Sequence, residues 1–480
     1  MSVARFRLVP FVTLLAIAPI TTAQVPVGSA VVGTASGPSS SGTAGLFLVA
    51  LPGGAVTPVT GLPAYLRSTG ATATEQGVAS VAWRSGDGAI VVGTVAAAGG
   101  PALGNVELFL FYLNGSAVDP TRTRQIQLGT TTNSGGAWVV VLPDDRILVA
   151  AGQGGGLLPT GPMANHALAI VDVSTPTPSF TLLPQPTIPA GGLGGGVAVD
   201  PTGRFVYMPY TTTPGQPTRV ATLYRHELAT GQTCAIATWP GQLAQGLWCD
   251  DDDTVYVNAS NLTTLAHHVH AVRPDGCNAA TVTTTQSLLS VAPSGLALDR
   301  ASGRFLVPSA AFAPGFPVAN LNRLWLVDPA TGAATPVAGS PQGWGSMSRS
   351  VAVNNAIDSY GARSDGQNHY WFDNFPNPGG QPTIGNLGFT LTMAASSGTA
   401  TASVLALSFG RGSTTLLGAE ILVDLSSIVT FGVPSGTAVP FALPIPPVVG
   451  LSGLVLTAQS LHIEPNNGLA GSRGLTLTLQ

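Results

Sequence analysis

Few residues in this 480-residue chain could do acid–base, metal or nucleophilic chemistry: 22 Asp and Glu together, 7 His and 3 Cys. The densest group is Asp250-Asp251-Asp252-Asp253. Four adjacent carboxylates could hold Ca2+, which takes roughly six to eight oxygens. The run lacks the Asp-x-Asp-x-Asp-Gly spacing of a calcium loop. It also falls where related segments carry a tight turn, so a solvated turn is the preferred reading. His267, His268 and His270 form a second group. Strand alternation sends His268 and His270 to one face and His267 away, and without a third ligand the pair makes a poor metal site.

A third constellation is dispersed. Glu75, His166 and His267 fall in segments expected to face one tunnel, where they could form a metal or acid–base site. Arg219, Gln245 and Arg349 are the polar candidates for ligand binding there. Solvated loop residues are the preferred reading, so no catalytic residue and no cofactor is expected. A divalent metal is kept as the alternative. Gly154-Gly155-Gly156 and Gly191 to Gly196 are loop glycines with no helix behind them to cradle a phosphate.

Cys234 and Cys277 occupy similar places in neighbouring repeats and are the first choice for a disulfide, leaving Cys249. Three buried small residues is the competing reading. The spacings match no zinc pattern.

The elements that would position these residues are strands. Gly196-Val197-Ala198-Val199 runs into Asp200-Pro201-Thr202-Gly203, and an alternating run follows to Tyr207. Asp can bond its own backbone, Pro presets φ and Gly takes the left-handed position, so this is a hairpin. Equivalent hairpins recur around Arg84, Asp144, Asp250 and Asp299, with a half copy ending at Asn354, at intervals near 50 residues. A second strand pair lies between them, as at Leu324-Trp325-Leu326-Val327. That period and four strands per repeat predict a β-propeller. The incomplete first repeat and the lone strand at Ser350 to Asn354 would combine into one blade, giving six and leaving no open edge.

In a propeller, the loops between second and third strands open where the chain enters the innermost strands. Here they are 36–44, 96–105, 152–166, 210–219, 259–266 and 309–321, rich in Gly, Ser, Thr, Pro and Asn and nearly free of carboxylates. Residues 357–385 read as a linker containing the aromatic cluster Tyr370-Trp371-Phe372, expected to lie against a neighbouring domain. From 386 to 480, about six runs, among them Phe389 to Met393, Glu420 to Phe431 and Leu454 to Ile463, predict a small antiparallel β-sandwich.

Residues 1–23 read as a secretory leader. Arg5 and Arg7 precede the apolar run Leu8 to Ile20, and cleavage is expected near Ala23. The expected location is outside the cell, at its surface or in the periplasm, with no integral membrane segment once the leader is removed. Loss of Arg5 and Arg7 takes the net charge from −4 to −6. A mildly acidic chain without basic runs is a poor nucleic-acid ligand.

The hairpins at Gly196 to Tyr207 and Gly295 to Val307 resemble the repeats of YVTN- and NHL-type β-propellers, over about residues 25–356 of an expected propeller domain 24–356. That resemblance implies a secreted or surface protein. Relatives include binding proteins as well as lactonase-like and streptogramin-lyase-like enzymes. The tail, with Ala438-Val439-Pro440-Phe441 and Gly453-Leu454-Val455-Leu456, resembles a C-terminal β-domain of exported proteins from high-GC environmental bacteria, implying an export, sorting or attachment module. The expectation is a non-catalytic binding protein whose loop face takes a protein or glycan ligand. A metal-dependent hydrolase or lyase is the alternative, and a structural envelope component the second alternative.

Overall fold

The structure, a computed structural model, describes residues 25–36, 44–51, 53, 55–67, 76–97, 104–131, 134–151, 157–188, 193–212, 218–261, 263–287, 289, 292–310, 323–337, 347–364, 369–373, 380–396, 400–434, 436, 438–466 and 468–480. The chain is all-β: a six-bladed propeller followed by an antiparallel β-sandwich.

Local turn chemistry makes the hairpins. Asp200 Oδ1 accepts the backbone N–H groups of Arg204 (2.8 Å) and Phe205 (2.7 Å). Gly203 sits at φ +73° and donates its N–H to the Asp200 carbonyl at 3.0 Å. Where that glycine is missing, an aspartate takes the left-handed position: Asp145 at φ +65° and Asp253 at φ +71°. Asp is among the few side chains that tolerate this conformation.

Blade 1 joins the two ends of the propeller segment. Its innermost strand is Met347–Asn354, which pairs with Ser29–Ser36, then Gly45–Ala50 and Val56–Pro58. Ring closure therefore rests on strand pairing. Ser350 Oγ ties the closing strand to blade 2, accepting the Val81 N–H at 3.0 Å. Blade 2 runs Gln76–Arg84, Ala89–Ala97, Asn105–Phe111 and Arg124–Thr130, and blade 3 runs Ser134–Val141, Ile147–Ala151, Leu168–Asp172 and Ser179–Leu182. Blade 4 has a broken inner strand, Leu193–Gly194 and Ala198–Val199, then Phe205–Thr212, Val220–Glu227 and Thr233–Pro240. Blade 5 is Gln242–Cys249, Val255–Asn261, His267–Asp275 and Asn278–Ser287. In blade 6 the inner pieces Ala292–Pro293 and Ala297–Asp299 precede Arg304–Ala310, Leu324–Val327 and Ala334–Pro336.

Apolar clusters fill the gaps between neighbouring blades; one joins Leu142, Leu148 and Leu168 of blade 3 to Val206 and Met208 of blade 4. Glycine lets the inner strands approach. A Cβ on Gly246 would lie 2.5 Å from the Gly295 backbone, and one on Gly93 would lie 2.2 Å from the Ala137 carbonyl oxygen.

The sandwich has one sheet ordered Ile357–Tyr360, Gly474–Thr478, Val455–Ile463, Ala402–Ser408 and Val429–Val433, with Leu469–Gly471 also on the third strand. The facing sheet is Tyr370–Phe372, Thr390–Ala395 and Ala438–Ala442. Phe389, Leu391 and Met393 meet Leu405, Leu475 and Leu477 between them. Two expectations need correction here. The stretch 357–385 is no plain linker, because it supplies a strand to each sheet. The aromatic cluster is part of the second sheet, with Tyr370 buried and stacked on His462 at 3.7 Å. The run Glu420 to Phe431 is two strands, because Asp424 accepts the Ser426 N–H at 2.9 Å and turns the chain. No described helix is long and apolar enough to cross a membrane.

Candidate functional site

The six inner strands surround a central channel containing a cavity of about 210 Å3. Its wall is largely backbone and small side chains such as Gly196, Gly246 and Ser294, together with Trp138 and Trp248. The indole N–H groups of those two tryptophans are buried and meet no acceptor. One end of the channel is capped by residues of the following domain: Asp358, Ser359, Tyr360 and Arg473. Burial raises the Asp358 carboxyl above the usual carboxylate range against the pull of Arg300, Arg411 and Arg473.

That cap sits on the face formed by the turns between first and second strands, and the acidic run lies within it. Asp251 is buried; Arg473 Nη1 donates to its Oδ1 at 2.9 Å, Arg300 Nη2 lies 3.5 Å from Oδ2, and the Ser359 hydroxyl also donates to it. Arg363 donates to the Asp251 carbonyl at 3.0 Å and to Asp253 Oδ2 at 2.8 Å. His369 Nδ1 is 3.3 Å from Asp253, and Arg273 donates to Asp252 at 2.6 Å. Arg300 itself is buried and lies 3.9 Å from Asp250. Backbone bonds complete the seam: Gly361 N–H to Pro143 O at 2.9 Å and Arg363 N–H to Pro201 O at 3.1 Å.

The reading of Asp250 to Asp253 as a solvated turn is therefore corrected. The run is a half-buried latch with Asp251 buried at its centre, and its carboxylates are engaged by arginines. Burial pushes Asp250 up to about 7, opposed by Arg300. Asp251 feels the same burial, yet Arg473 and Arg300 outweigh it and hold the carboxyl below the ordinary range. Among the described residues, no group of three or more His, Cys, Asp or Glu is arranged to hold a metal ion.

Of the dispersed constellation, the structure holds His166 and His267 apart. Glu75 and the side chain of Arg349 lie outside the described residues. His166, half-buried in the second loop of blade 3, bonds locally through Nδ1 to the Ala164 carbonyl at 2.9 Å. His267 is fully buried in blade 5, where Nε2 bonds Asn258 Oδ1. Asn258 in turn donates to the Gly295 carbonyl of blade 6 at 2.8 Å. Blade 4 separates His166 from His267. Burial, with help from His268 and His270, pushes His267 down to about 3, so it is a neutral structural imidazole. His268 and His270 do share a face, with ring centroids 5.8 Å apart. His270 is committed to Thr284 (2.8 Å) and Gln242 (2.7 Å). Gln245 is buried at the irregular step of its strand, and its carbonyl accepts the Gly196 N–H from blade 4. Arg219 is buried, and its carbonyl receives the Gly241 N–H at 2.9 Å. Cys234 and Cys277 form a disulfide between blades 4 and 5, with Cα atoms 5.6 Å apart.

Sequence reasoning missed Arg300, Arg363, Asp358 and Arg473. One signal was visible: the turn Asp200-Pro201 becomes Asp299-Arg300 in the sixth blade, an arginine replacing the residue that sets the turn.

No known family's sequence profile matches the chain, and no curated protein matches it in sequence. Solved structures give weak likenesses to propeller-like and β-rich folds. A puromycin hydrolase is 16% identical with a TM-score of 0.39, over 69% of this chain and 48% of that one. The chain thus spans about half the length of that hydrolase. A putative 6-phosphogluconolactonase from Bacteroides fragilis is 12% identical with a TM-score of 0.34, over 67% of this chain and 96% of that one. A hypothetical selenium-binding protein from Sulfolobus tokodaii is 10% identical with a TM-score of 0.38, over 94% and 93% of the two chains.

Proposed function

We propose that the chain is an exported, non-catalytic binding protein that takes a protein or glycan ligand on the loop face of its propeller. The observation that supports this most is the cap. The sandwich covers the turn end of the channel through Arg363, Arg473 and Ser359, which directs any approach to the opposite, weakly charged face. Of the groups that could have done chemistry, the carboxylates of Asp251 and Asp253 are spent on that seam.

The test is a screen of the full chain against a glycan array and extracellular protein fractions, followed by titration of any hit. Leu157 lies 45% exposed in the second loop of blade 3. Leu157→Asp should weaken a loop-face ligand about tenfold, or roughly 1.4 kcal/mol. Asp144→Asn, on the turn face, should leave it unchanged. A ligand insensitive to Leu157→Asp, or EDTA-sensitive turnover of a lactone or lyase substrate, would replace this reading with the metal-dependent enzyme.

A further inference from the structure

Among the described residues, no apolar cluster crosses from the propeller to the sandwich; each lies wholly within one domain. The bonds that do cross are polar and reach the turns of blades 2 to 6. Arg411 Nη2 donates to Ser85 Oγ at 2.9 Å, the Gly361 and Arg363 N–H groups to Pro143 and Pro201, Arg363 Nη2 to Asp253, and Arg300 Nη2 to Ser359 Oγ at 3.2 Å. Opening such a seam exposes little apolar surface, and polar inter-domain contacts permit domain motion.

The chain passes between the two domains over two residues. The closing strand Met347–Asn354 is followed after Asn355 and Ala356 by Ile357–Tyr360 of the sandwich. Asn355 is held by the propeller: its Oδ1 accepts the Arg300 N–H at 2.9 Å, and its Nδ2 donates to the Leu298 carbonyl at 3.2 Å. Ala356 is held by the sandwich, its carbonyl accepting the Thr478 N–H at 2.8 Å. A rotation confined to these two residues moves one domain against the other and breaks no strand pair in either.

Behind the seam lies the channel cavity of about 210 Å3. Asp358, Ser359, Tyr360 and Arg473 of the sandwich form part of its wall, so separating the domains opens it directly. Cys249 lines the same cavity from blade 5. We infer that the sandwich is a hinged lid. It pivots at Asn355–Ala356, is latched by Arg363, Arg411 and Arg473, and when open admits solvent and small solutes to the cavity from the turn end. The lid works at the end opposite the loop face and does not depend on a loop-face ligand.

Cys249 supplies the probe. The full chain is labelled with N-ethylmaleimide, without reductant, over a urea series below the unfolding transition. Labelling through a transient opening proceeds at the reagent's rate on the exposed thiol times the opening equilibrium. Lid opening exposes little surface, so the wild-type rate should be slow and rise only weakly with urea, whereas global unfolding carries the full slope. Amide exchange of Gly361 and Arg363 should show the same weak slope, and that of the fully buried strand residue Val91 the full one. Arg363→Gln and Arg411→Gln should each speed labelling about tenfold by raising the open population. Loss of a positive charge does not lower a thiol pKa, so faster labelling reports opening and not a more reactive thiol. Where a substitution loosens the sandwich itself, the wild-type slopes still decide the matter. Leu182→Asp, on the outer strand of blade 3 where Leu182 is 42% exposed, should leave the rate unchanged. Labelling and seam exchange that carry the full unfolding slope at every urea concentration would overturn the inference. So would a labelling rate that neither arginine substitution moves.

Discussion

Arg473 Nη1 lies 2.9 Å from Asp251 Oδ1, joining residues 222 positions apart. One belongs to the last hairpin of the sandwich and the other to a propeller turn, so this bond is one of those that join the two halves. Removing one partner of a buried ion pair leaves the other charge unpaired, which costs about 3–5 kcal/mol. Asp251→Asn removes the carboxylate that meets both Arg473 and Arg300, the latter with a side chain only 3% exposed. Its unfolding free energy should fall by about 3 kcal/mol. Asp144→Asn breaks a pair with Arg146 that is about half exposed, and should cost less than about 0.5 kcal/mol. Denaturant unfolding of both variants checks this; equal losses would mean that the latch is no stronger than a surface pair.

Asp250 gives the seam a pH dependence. Burial raises its folded pKa to about 7, far above the unfolded value near 3.8. Between those values the folded state holds the proton and the unfolded state does not. This group therefore contributes stability below the unfolded pKa, and the contribution is lost as pH rises towards 7. Asp251 has the opposite sign, since its lowered pKa stabilises above the unfolded value and fails in acid. Asp250→Asn should remove the decline between pH 4 and 7, so that its midpoint relative to wild type rises with pH. An unchanged difference at pH 5 and pH 7.5 would rule out Asp250 as the source.

What could be read from the sequence was local. Asp200 and Gly203 define their turn from within six residues, and the interval between such turns is the propeller period. Strand closure by Met347–Asn354 followed from counting complete repeats. The seam had no such signature. Arg473 is one of 18 basic residues, and nothing near it in sequence points to Asp251. A run of four aspartates looks solvated unless the arginines that bury it can be placed. The strand at Ile357–Tyr360 is short and polar at its centre, and pairs with the end of the chain, so it resembled a connection. Glu75, His166 and His267 were grouped by loop position. Loop position carries no information on which way a side chain points.

The buried histidines oppose Asp250. Burial pushes both His267 and His270 down to about 3, and their unfolded value is near 6.5. Between those values the unfolded state binds more protons, so their contribution is complete above about 6.5 and is lost as pH falls. Both imidazoles should remain neutral by NMR at pH 5, with His270 held between Thr284 and Gln242. His270→Gln should shrink the difference in denaturant midpoint between pH 7 and pH 5. A His270 resonance titrating near 6.5 in the native protein would contradict this.

The disulfide and the remaining thiol give a chemical check on the blade order. Cys234–Cys277 closes a separation of 43 residues and ties the outermost strand of blade 4 to the hairpin at Gly276 in blade 5. A loop of that length implies about 4 kcal/mol of stabilisation by the chain-entropy argument. The double variant Cys234→Ser, Cys277→Ser should lose about 3–4 kcal/mol while keeping its strand content. Burial pushes the Cys249 thiol well above its ordinary range, aided by the nearby aspartates. Only a thiolate reacts readily, so Cys249 should resist thiol reagents in the native state. Exactly as many thiols as one unpaired cysteine provides should appear on unfolding without reductant. Rapid native labelling would place Cys249 at an accessible surface, and three thiols on unfolding would eliminate the bridge.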